Sequence, residues 1–217
     1  MKPLRTLDSV ETPDGVLALK SRGPKDFLIT VDGRVLMTSA AHMSEVVLGR
    51  AACAGLATHA APKVLVGGLG MGFTLRAVLD ALPPGARVTV AELNEVVAGW
   101  CDGPLAPLTD HATADARVQL RFLDVLRLLK EGPKYDAVVL DLYVGPGADT
   151  KRDDPLYGDG ACAAARRALH RGGVFGVWGE AFDEAYVKRL EKHGFEVRVE
   201  RPGHGGLRHV VYLGTAR

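Results

Sequence analysis

The sequence lacks the features that mark membrane, secreted and nucleic-acid-binding proteins. It has no apolar run of about 18 residues, so no membrane-spanning helix is predicted. Its first residues, MKPLR, lead into polar sequence rather than the apolar core of a signal peptide, and we expect a cytoplasmic protein. The 27 basic and 26 acidic residues leave a net charge of +1, which gives no basic footprint for nucleic acid or an anionic membrane. A small molecule is the favoured partner.

Cysteine and metal-ligand patterns are also scarce. The three cysteines, Cys53, Cys101 and Cys162, are scattered and lack Cys-x-x-Cys spacing, which argues against a disulfide framework and a zinc site. We predict that they are small buried residues. The seven histidines show no ligand spacing, so no metal is expected. One of them, His204, lies in a glycine-rich turn and is predicted to be exposed to solvent.

Length and patterning indicate one α/β domain with a small N-terminal addition. The 217 residues are 47% hydrophobic and 24% charged, enough for one full core. Apolar β runs alternate with helical patterns of about 10–15 residues, and the last strand is predicted over Leu207 to Leu213. This alternation predicts a Rossmann-like, doubly wound, mostly parallel seven-stranded sheet with helices on both faces, over residues 39–217. Residues 1–38 are predicted to form a β-ribbon, because Asp32-Gly33 is a hairpin signal; such a ribbon can cap a site or pair with a second subunit.

The chain is organised around residues 63–80, where an apolar strand passes through a glycine turn into a helix. The turn, Gly68-Leu69-Gly70-Met71-Gly72, has the spacing of a nucleotide-binding loop, in which the backbone approaches the ligand. The next predicted strand ends at Glu92, about 20 residues after the last glycine, where a carboxylate can accept both hydroxyls of a ribose. We assign Leu93 to the same pocket. The stretch therefore predicts a nucleoside site.

Two further carboxylates follow predicted strands. Asp124 precedes a helical pattern that starts at Val125, and it can cap that helix, lie beside the adenine pocket with Val125, or do both. Asp141 ends the strand Tyr135 to Leu140, the most strongly β-like run in the chain. Ligands of open α/β sheets bind outside the carboxyl ends of the strands. We therefore expect Glu92, Asp124 and Asp141 to meet the glycine turn at one edge of the sheet.

The residues that would shape a second, acceptor part of the pocket are less well determined. The segment from Leu142 to Tyr157 carries glycines, prolines and mixed charge, and a connection of this length is usually functional or mobile. Tyr143 either lines the pocket or lies on the surface of this loop. Trp178 is either an apolar wall of the pocket or a packed core aromatic.

Residues from about 26 to 190 resemble the spermidine synthase family of aminopropyltransferases, which shares its fold with class I S-adenosylmethionine-dependent methyltransferases. The matching motifs are the glycine turn with Thr74-Leu75-Arg76, the strand ending at Asp141, Val144-Gly145-Pro146, Leu156-Tyr157 and Gly172-Gly173-Val174-Phe175. The resemblance implies an S-adenosylmethionine-type donor, a small-molecule acceptor and, through N-terminal elements, a homodimer. Asp141 takes the position of the catalytic Asp of the family, and Glu180 that of a Glu closing the polyamine site.

The sequence departs from the family where the reaction is decided. Met43-Ser44-Glu45 replaces a Tyr-Gln-Glu or Tyr-His-Glu motif, Gly70 or Met71 replaces the Asp of the glycine turn, and the loop after Asp141 lacks a second Asp. A dicationic polyamine needs several carboxylates and aromatics to replace its water.

These departures favour transfer of a methyl group from S-adenosylmethionine to a small molecule, with Asp141 and Tyr143 as catalytic residues and Tyr143, Trp178 and Glu180 around the acceptor. Aminopropyl transfer from decarboxylated S-adenosylmethionine to a polyamine is the alternative. A non-catalytic nucleoside-binding homologue is a second alternative.

Overall fold

In a computed structural model, residues 3–202 and 209–217 are described, and they form two β-sheets. The N-terminal sheet is antiparallel, and its strands follow the order of the chain: β1 (Arg5–Thr12), β2 (Gly15–Gly23), β3 (Asp26–Val31) and β4 (Arg34–Thr38). The turn between β3 and β4 is at Asp32-Gly33, as predicted, with positive φ angles of 46° and 79°. The ribbon therefore has four strands.

The central sheet contains the other seven strands: β5 (Lys63–Gly67), β6 (Arg87–Glu92), β7 (Val118–Phe122), β8 (Tyr135–Leu140), β9 (Leu169–Gly179), β10 (Phe195–Glu200) and β11 (Val210–Ala216). Their order across the sheet is β10-β11-β9-β8-β5-β6-β7, and β11 runs antiparallel to both neighbours. The predicted mostly parallel seven-stranded sheet is confirmed. The predicted start of the last strand, Leu207, lies outside the described residues, as does His204.

Six α-helices connect these strands within the described residues: α1 (Met43–Cys53), α2 (Phe73–Ala81), α3 (Glu95–Asp102), α4 (Val125–Glu131), α5 (Asp159–Ala168) and α6 (Glu184–Lys192). Two short 3-10 turns follow α3. The segment from Leu142 to Tyr157 contains no helix or strand, so the long connection predicted there is present. No helix in the described part of the chain is long and apolar enough to cross a membrane.

The two faces of the central sheet carry separate cores, because side chains alternate along each strand. On β5, Val64 and Val66 pack with residues of α1, α2 and α3, whereas Leu65 packs with residues of α4, α5 and α6. Helices therefore cover both faces, as the sequence predicts. The N-terminal sheet joins the first core through Leu19 and Phe27. Its outer strand is tied to α3 by the indole N–H of Trp100, which donates to Asp8 at 2.8 Å.

The three cysteines confirm their predicted burial. Cys53 and Cys101 lie in the first core and Cys162 in the second. All three thiols are free. Burial raises the pKa of each thiol from 9.0 to about 12, so the thiols are protonated and unreactive in the folded protein.

Candidate active site

A cavity of about 380 Å³ opens at the carboxyl ends of the parallel strands. It lies where the strand order reverses, since β5 has β6 on one side and β8 on the other. The N-terminal sheet supplies an apolar wall that includes Ile29 and Met37. The predicted site residues that line the cavity are Gly68, Gly70, Glu92, Leu93, Asp124, Val125, Asp141, Tyr143 and Trp178.

Three predicted site residues do not line the cavity. The side chain of Met71 is fully buried in the first core, so it faces away from a ligand. Gly72 is the N-cap of α2 and lies next to Thr109. Glu180 is exposed one residue beyond β9. These three residues therefore do not contribute to the cavity wall. Met71 and Gly72 are directed away from it by the glycine turn, and Glu180 lies past the end of β9.

The glycine turn brings backbone to the floor of the cavity. Gly68 has a φ of +86°, and a Cβ at this position would lie 2.3 Å from the carbonyl oxygen of Asp141. Gly70 has a φ of +52°, and its Cβ would lie 3.0 Å from the sulfur of Met37. A side chain at either position would be strained; at Gly68 it would also collide with the backbone of Asp141, and at Gly70 it would require the Met37 side chain to shift. The turn thus keeps β5, β8 and the N-terminal sheet in close contact at the site.

Glu92 is held rigidly between the glycine turn and α3. Its Oε2 accepts the backbone N–H of Leu69 at 2.9 Å, and its Oε1 accepts that of Asn94 at 2.9 Å. The side chain is 9% exposed. Each carboxylate oxygen can accept more than one hydrogen bond, so Glu92 retains capacity for ribose hydroxyls. The residue is both a structural clamp and a fixed anionic acceptor on the cavity wall.

Asp124 follows the end of β7 and is the N-cap of α4. Its Oδ1 accepts the backbone N–H of Leu126 at 2.9 Å, so the capping role considered from the sequence is confirmed. The residue also lines the cavity, beside the buried Val125. Leu93 is 68% exposed and forms part of the rim.

Asp141 is half-buried at the end of β8. Its Oδ2 accepts a hydrogen bond from the hydroxyl of Thr74 at 2.5 Å. Burial, followed by the negative charge of Glu45, raises the pKa of Asp141 from 3.8 to about 7, although the bond from Thr74 acts in the opposite direction. A carboxyl group with such a pKa can take up a proton near neutral pH.

Glu45 is a cavity residue that sequence reasoning missed. It lies on α1, is 6% exposed and lines the cavity near Asp141. Its position in Met43-Ser44-Glu45, which keeps the Glu of the Tyr-Gln-Glu motif, is the signal that could have found it. A carboxylate that is almost fully buried on a helix is uncommon without a specific partner or role.

Every charged side chain that lines the cavity in the described residues is acidic: Asp14, Glu45, Glu92, Asp124 and Asp141. No Lys or Arg of those residues joins them. Clefts lined by one sign of charge attract the opposite sign. The site is therefore suited to a positively charged ligand.

The long loop forms the outer wall of the cavity. Tyr143 is 56% exposed at its rim, so it both lines the cavity and lies on the loop surface. The hydroxyl of Tyr157 donates to the carbonyl of Val144 at 2.6 Å. The buried guanidinium of Arg189 donates to the carbonyls of Tyr157 and Thr150, at 2.9 and 3.2 Å. These bonds fix the loop to α6.

No family model matches the chain, and no curated protein matches it in sequence. Solved structures do match. The spermidine synthase from Thermotoga maritima superimposes with a TM-score of 0.76 at 19% identity, covering 97% of this chain and 72% of that one. A spermidine synthase in complex with the transition-state analogue AdoDATO gives 0.74 at 19% identity, with the same coverage. The fold is spermidine-synthase-like.

Two further solved structures also match this fold. A probable spermidine synthase from Corynebacterium glutamicum ATCC 13032 has a TM-score of 0.65 at 17% identity, covering 99% of this chain and 81% of that chain. TrmN from Thermus thermophilus has a TM-score of 0.55 at 20% identity, covering 84% and 50% of the two chains. The spermidine-synthase-like form of the class I methyltransferase fold, expected from the sequence motifs, is confirmed.

Proposed function

We propose that this protein is a transferase that binds an S-adenosylmethionine-type donor in the cavity and alkylates a small-molecule nucleophile. The observation that carries the proposal is the arrangement of Glu92 and Asp141 on either side of the glycine turn. Glu92 is a fixed acceptor for sugar hydroxyls, and Asp141 is a carboxyl group able to exchange a proton near neutral pH. The cavity of about 380 Å³ falls within the roughly 300–1,000 Å³ range of small-molecule sites.

The residues present fit such a donor. The bare backbone of Gly68 and Gly70 allows close approach, Glu92 can accept the ribose hydroxyls, and Asp124 and Val125 lie beside the expected adenine position. The acidic lining stabilises a positive charge. When bound, the sulfonium of the donor supplies an electrophilic carbon, so the protein needs to supply alignment and exclusion of water.

Asp141 supplies the acid–base function of the proposed reaction. An amine nucleophile is protonated in neutral water and must lose a proton before it attacks. A carboxylate whose pKa is about 7 accepts that proton more readily than an ordinary Asp. Tyr143 and Trp178 line the same cavity and can enclose the acceptor.

Methyl transfer is the version of this reaction that we favour. In the glycine turn, the space beside Gly70 is filled by the sulfur of Met37, and Met71 is buried in the core. The turn thus presents no carboxylate that would repel the carboxylate of intact S-adenosylmethionine. Aminopropyl transfer is the second candidate. It is supported by the acidic lining, because no Lys or Arg of the described residues lines the cavity to pair with the carboxylate of S-adenosylmethionine.

The assay supplies purified protein with either S-adenosylmethionine or its decarboxylated form, together with small amines, alcohols and carboxylic acids. Formation of S-adenosylhomocysteine supports methyl transfer. Formation of methylthioadenosine with a diamine overturns it in favour of aminopropyl transfer. Tight donor binding without turnover on any acceptor identifies a non-catalytic homologue, and absence of binding refutes the proposal as a whole.

A further inference from the structure

The side chains of His209, Ser44 and Glu45 form a hydrogen-bonded chain that ends at the cavity. Ser44 and Glu45 are at the start of α1, and His209 immediately precedes β11. The hydroxyl of Ser44 lies 2.5 Å from Oε2 of Glu45 and 2.9 Å from Nδ1 of His209. The rings of His209 and Trp178 also pack in a T-shaped arrangement, with centroids 4.9 Å apart. Ser44 and His209, which are 165 positions apart in sequence, are therefore in contact next to the carboxylate of Glu45.

The direction of these bonds follows from the number of available protons. A serine hydroxyl has one hydrogen, and an ionised carboxylate can only accept. The Ser44 hydrogen therefore goes to Glu45, and the Ser44 oxygen accepts the hydrogen of His209 Nδ1. Neutral His209 must carry its proton on Nδ1. Both bonds run toward Glu45, so they hold its carboxylate in one orientation.

The second oxygen of Glu45 is the one left for a ligand. Among the described residues, no side chain or backbone group donates to Oε1 of Glu45, whereas Oε2 is occupied by Ser44. Glu45 lines the same cavity as Asp141, and its charge contributes to the raised pKa of Asp141. The two carboxyl groups therefore interact and face one space.

We propose that Glu45 contacts the amine group of the acceptor, and that His209 and Ser44 are positioning residues that aim its carboxylate at that group. The proposal rests on the transferase function, because it assumes that an acceptor lies beside Asp141. Two carboxyl groups then have separate roles toward the acceptor. Glu45 binds the amine as a fixed anion, and Asp141 takes up the proton that the amine releases.

The first test measures the His209 tautomer by nitrogen-15 NMR at a pH where the imidazole is neutral. His209→Asn identifies its signals among the seven histidines. We expect an Nδ1-protonated ring in the wild type and in Ser44→Thr, and loss of this preference in Ser44→Ala. An Nε2-protonated ring in the wild type, or one unchanged in Ser44→Ala, overturns the positioning role. The result does not depend on catalysis.

The second test measures binding of propylamine to the protein saturated with methylthioadenosine. We expect Glu45→Gln to weaken propylamine binding by about tenfold, because a charge-assisted hydrogen bond is lost. Ser44→Ala and His209→Leu should weaken it by about threefold, since they disorient the carboxylate. Ser44→Thr and His209→Asn keep the donor groups and should bind as the wild type does.

Three results overturn the proposal in that experiment: no propylamine binding to the wild type, no effect of Glu45→Gln, or equal defects in His209→Asn and His209→Leu. Methylthioadenosine affinity is measured for each variant as the control. Its absence in the wild type would count against the transferase function itself, so the two failures are distinguishable.

Discussion

The nucleoside half of the cavity and its acceptor half are built in different ways. The nucleoside half comes from consecutive strand ends, at Gly68, Glu92 and Asp124, and its carboxylates are fixed by backbone N–H groups. The acceptor half combines residues from separate parts of the chain, such as Glu45 on α1 and Trp178 on β9. Its two carboxylates accept hydrogen bonds from side chains, Asp141 from Thr74 and Glu45 from Ser44.

This difference indicates which half can change during evolution. A carboxylate clamped by the backbone cannot be altered without disturbing the turn that it holds, so the nucleoside half is tied to the fold. Side-chain contacts can be exchanged by single substitutions that leave the backbone intact. The acceptor half is therefore where we expect specificity to be set, consistent with two of the three sequence departures, Met43-Ser44-Glu45 and the loop after Asp141.

The largest effect is expected from substitution of Asp141, which should lower the turnover rate with little change in nucleoside affinity. Asp141→Asn keeps the size of the side chain and removes its ability to accept a proton. We expect the turnover rate to fall by about 10²–10⁴-fold, while methylthioadenosine affinity changes less than about threefold. Steady-state kinetics and calorimetry measure the two quantities. Equal losses in rate and nucleoside affinity would mean that Asp141 belongs to both halves.

The loop from Leu142 to Tyr157, in the acceptor half, should depend on the buried guanidinium of Arg189 for its local stability. Arg189→Met leaves the carbonyls of Tyr157 and Thr150 without their donor. We expect trypsin to cleave after Lys151 or Arg152 about tenfold faster in this variant, because local opening becomes easier. Arg167→Met, on an exposed position of α5, is the matched control. Equal cleavage of the two variants would show that Arg189 does not secure the loop.

A smaller effect is expected on the pH dependence of the reaction. Asp141 must be ionised to accept a proton, so kcat/KM should rise as pH increases through about 7 and then level off. The bond from Thr74 lowers the pKa of Asp141, and Thr74→Val removes it. The midpoint should therefore move to higher pH, by about half a unit to one unit. A midpoint that stays in place or moves down would contradict this role of Thr74.

The parts of the site that the sequence predicted are local in the chain. The glycine turn, Glu92, Asp124 and Asp141 each stand directly after an apolar strand, and parallel strands bring such positions to one edge. The fold was predictable for the same reason, since alternating strands and helices leave few ways to connect a parallel sheet.

The remaining features depend on geometry that spacing does not contain. Met71 lies between two glycines with positive φ, and those angles send its side chain into the core. Glu180 stands beyond the end of β9, where its side chain is exposed. The contact between Ser44 and His209 joins α1 to the residue before β11, so it exists only after the sheet has formed. Neither periodicity nor motif spacing reports such a contact.

The most direct measurement of the central claim is calorimetry with methylthioadenosine, which carries the nucleoside of both donors without their amino-acid part. We expect the wild type to bind it and Glu92→Gln to bind it at least about tenfold more weakly, because an amide replaces one carboxylate oxygen. Glu95→Gln, at an exposed position of α3 outside the cavity lining, is the control for loss of a nearby negative charge and should bind methylthioadenosine as the wild type does. Absence of binding to the wild type, or equal binding by Glu92→Gln, would contradict a nucleoside held by Glu92 across the carboxyl edge of the sheet.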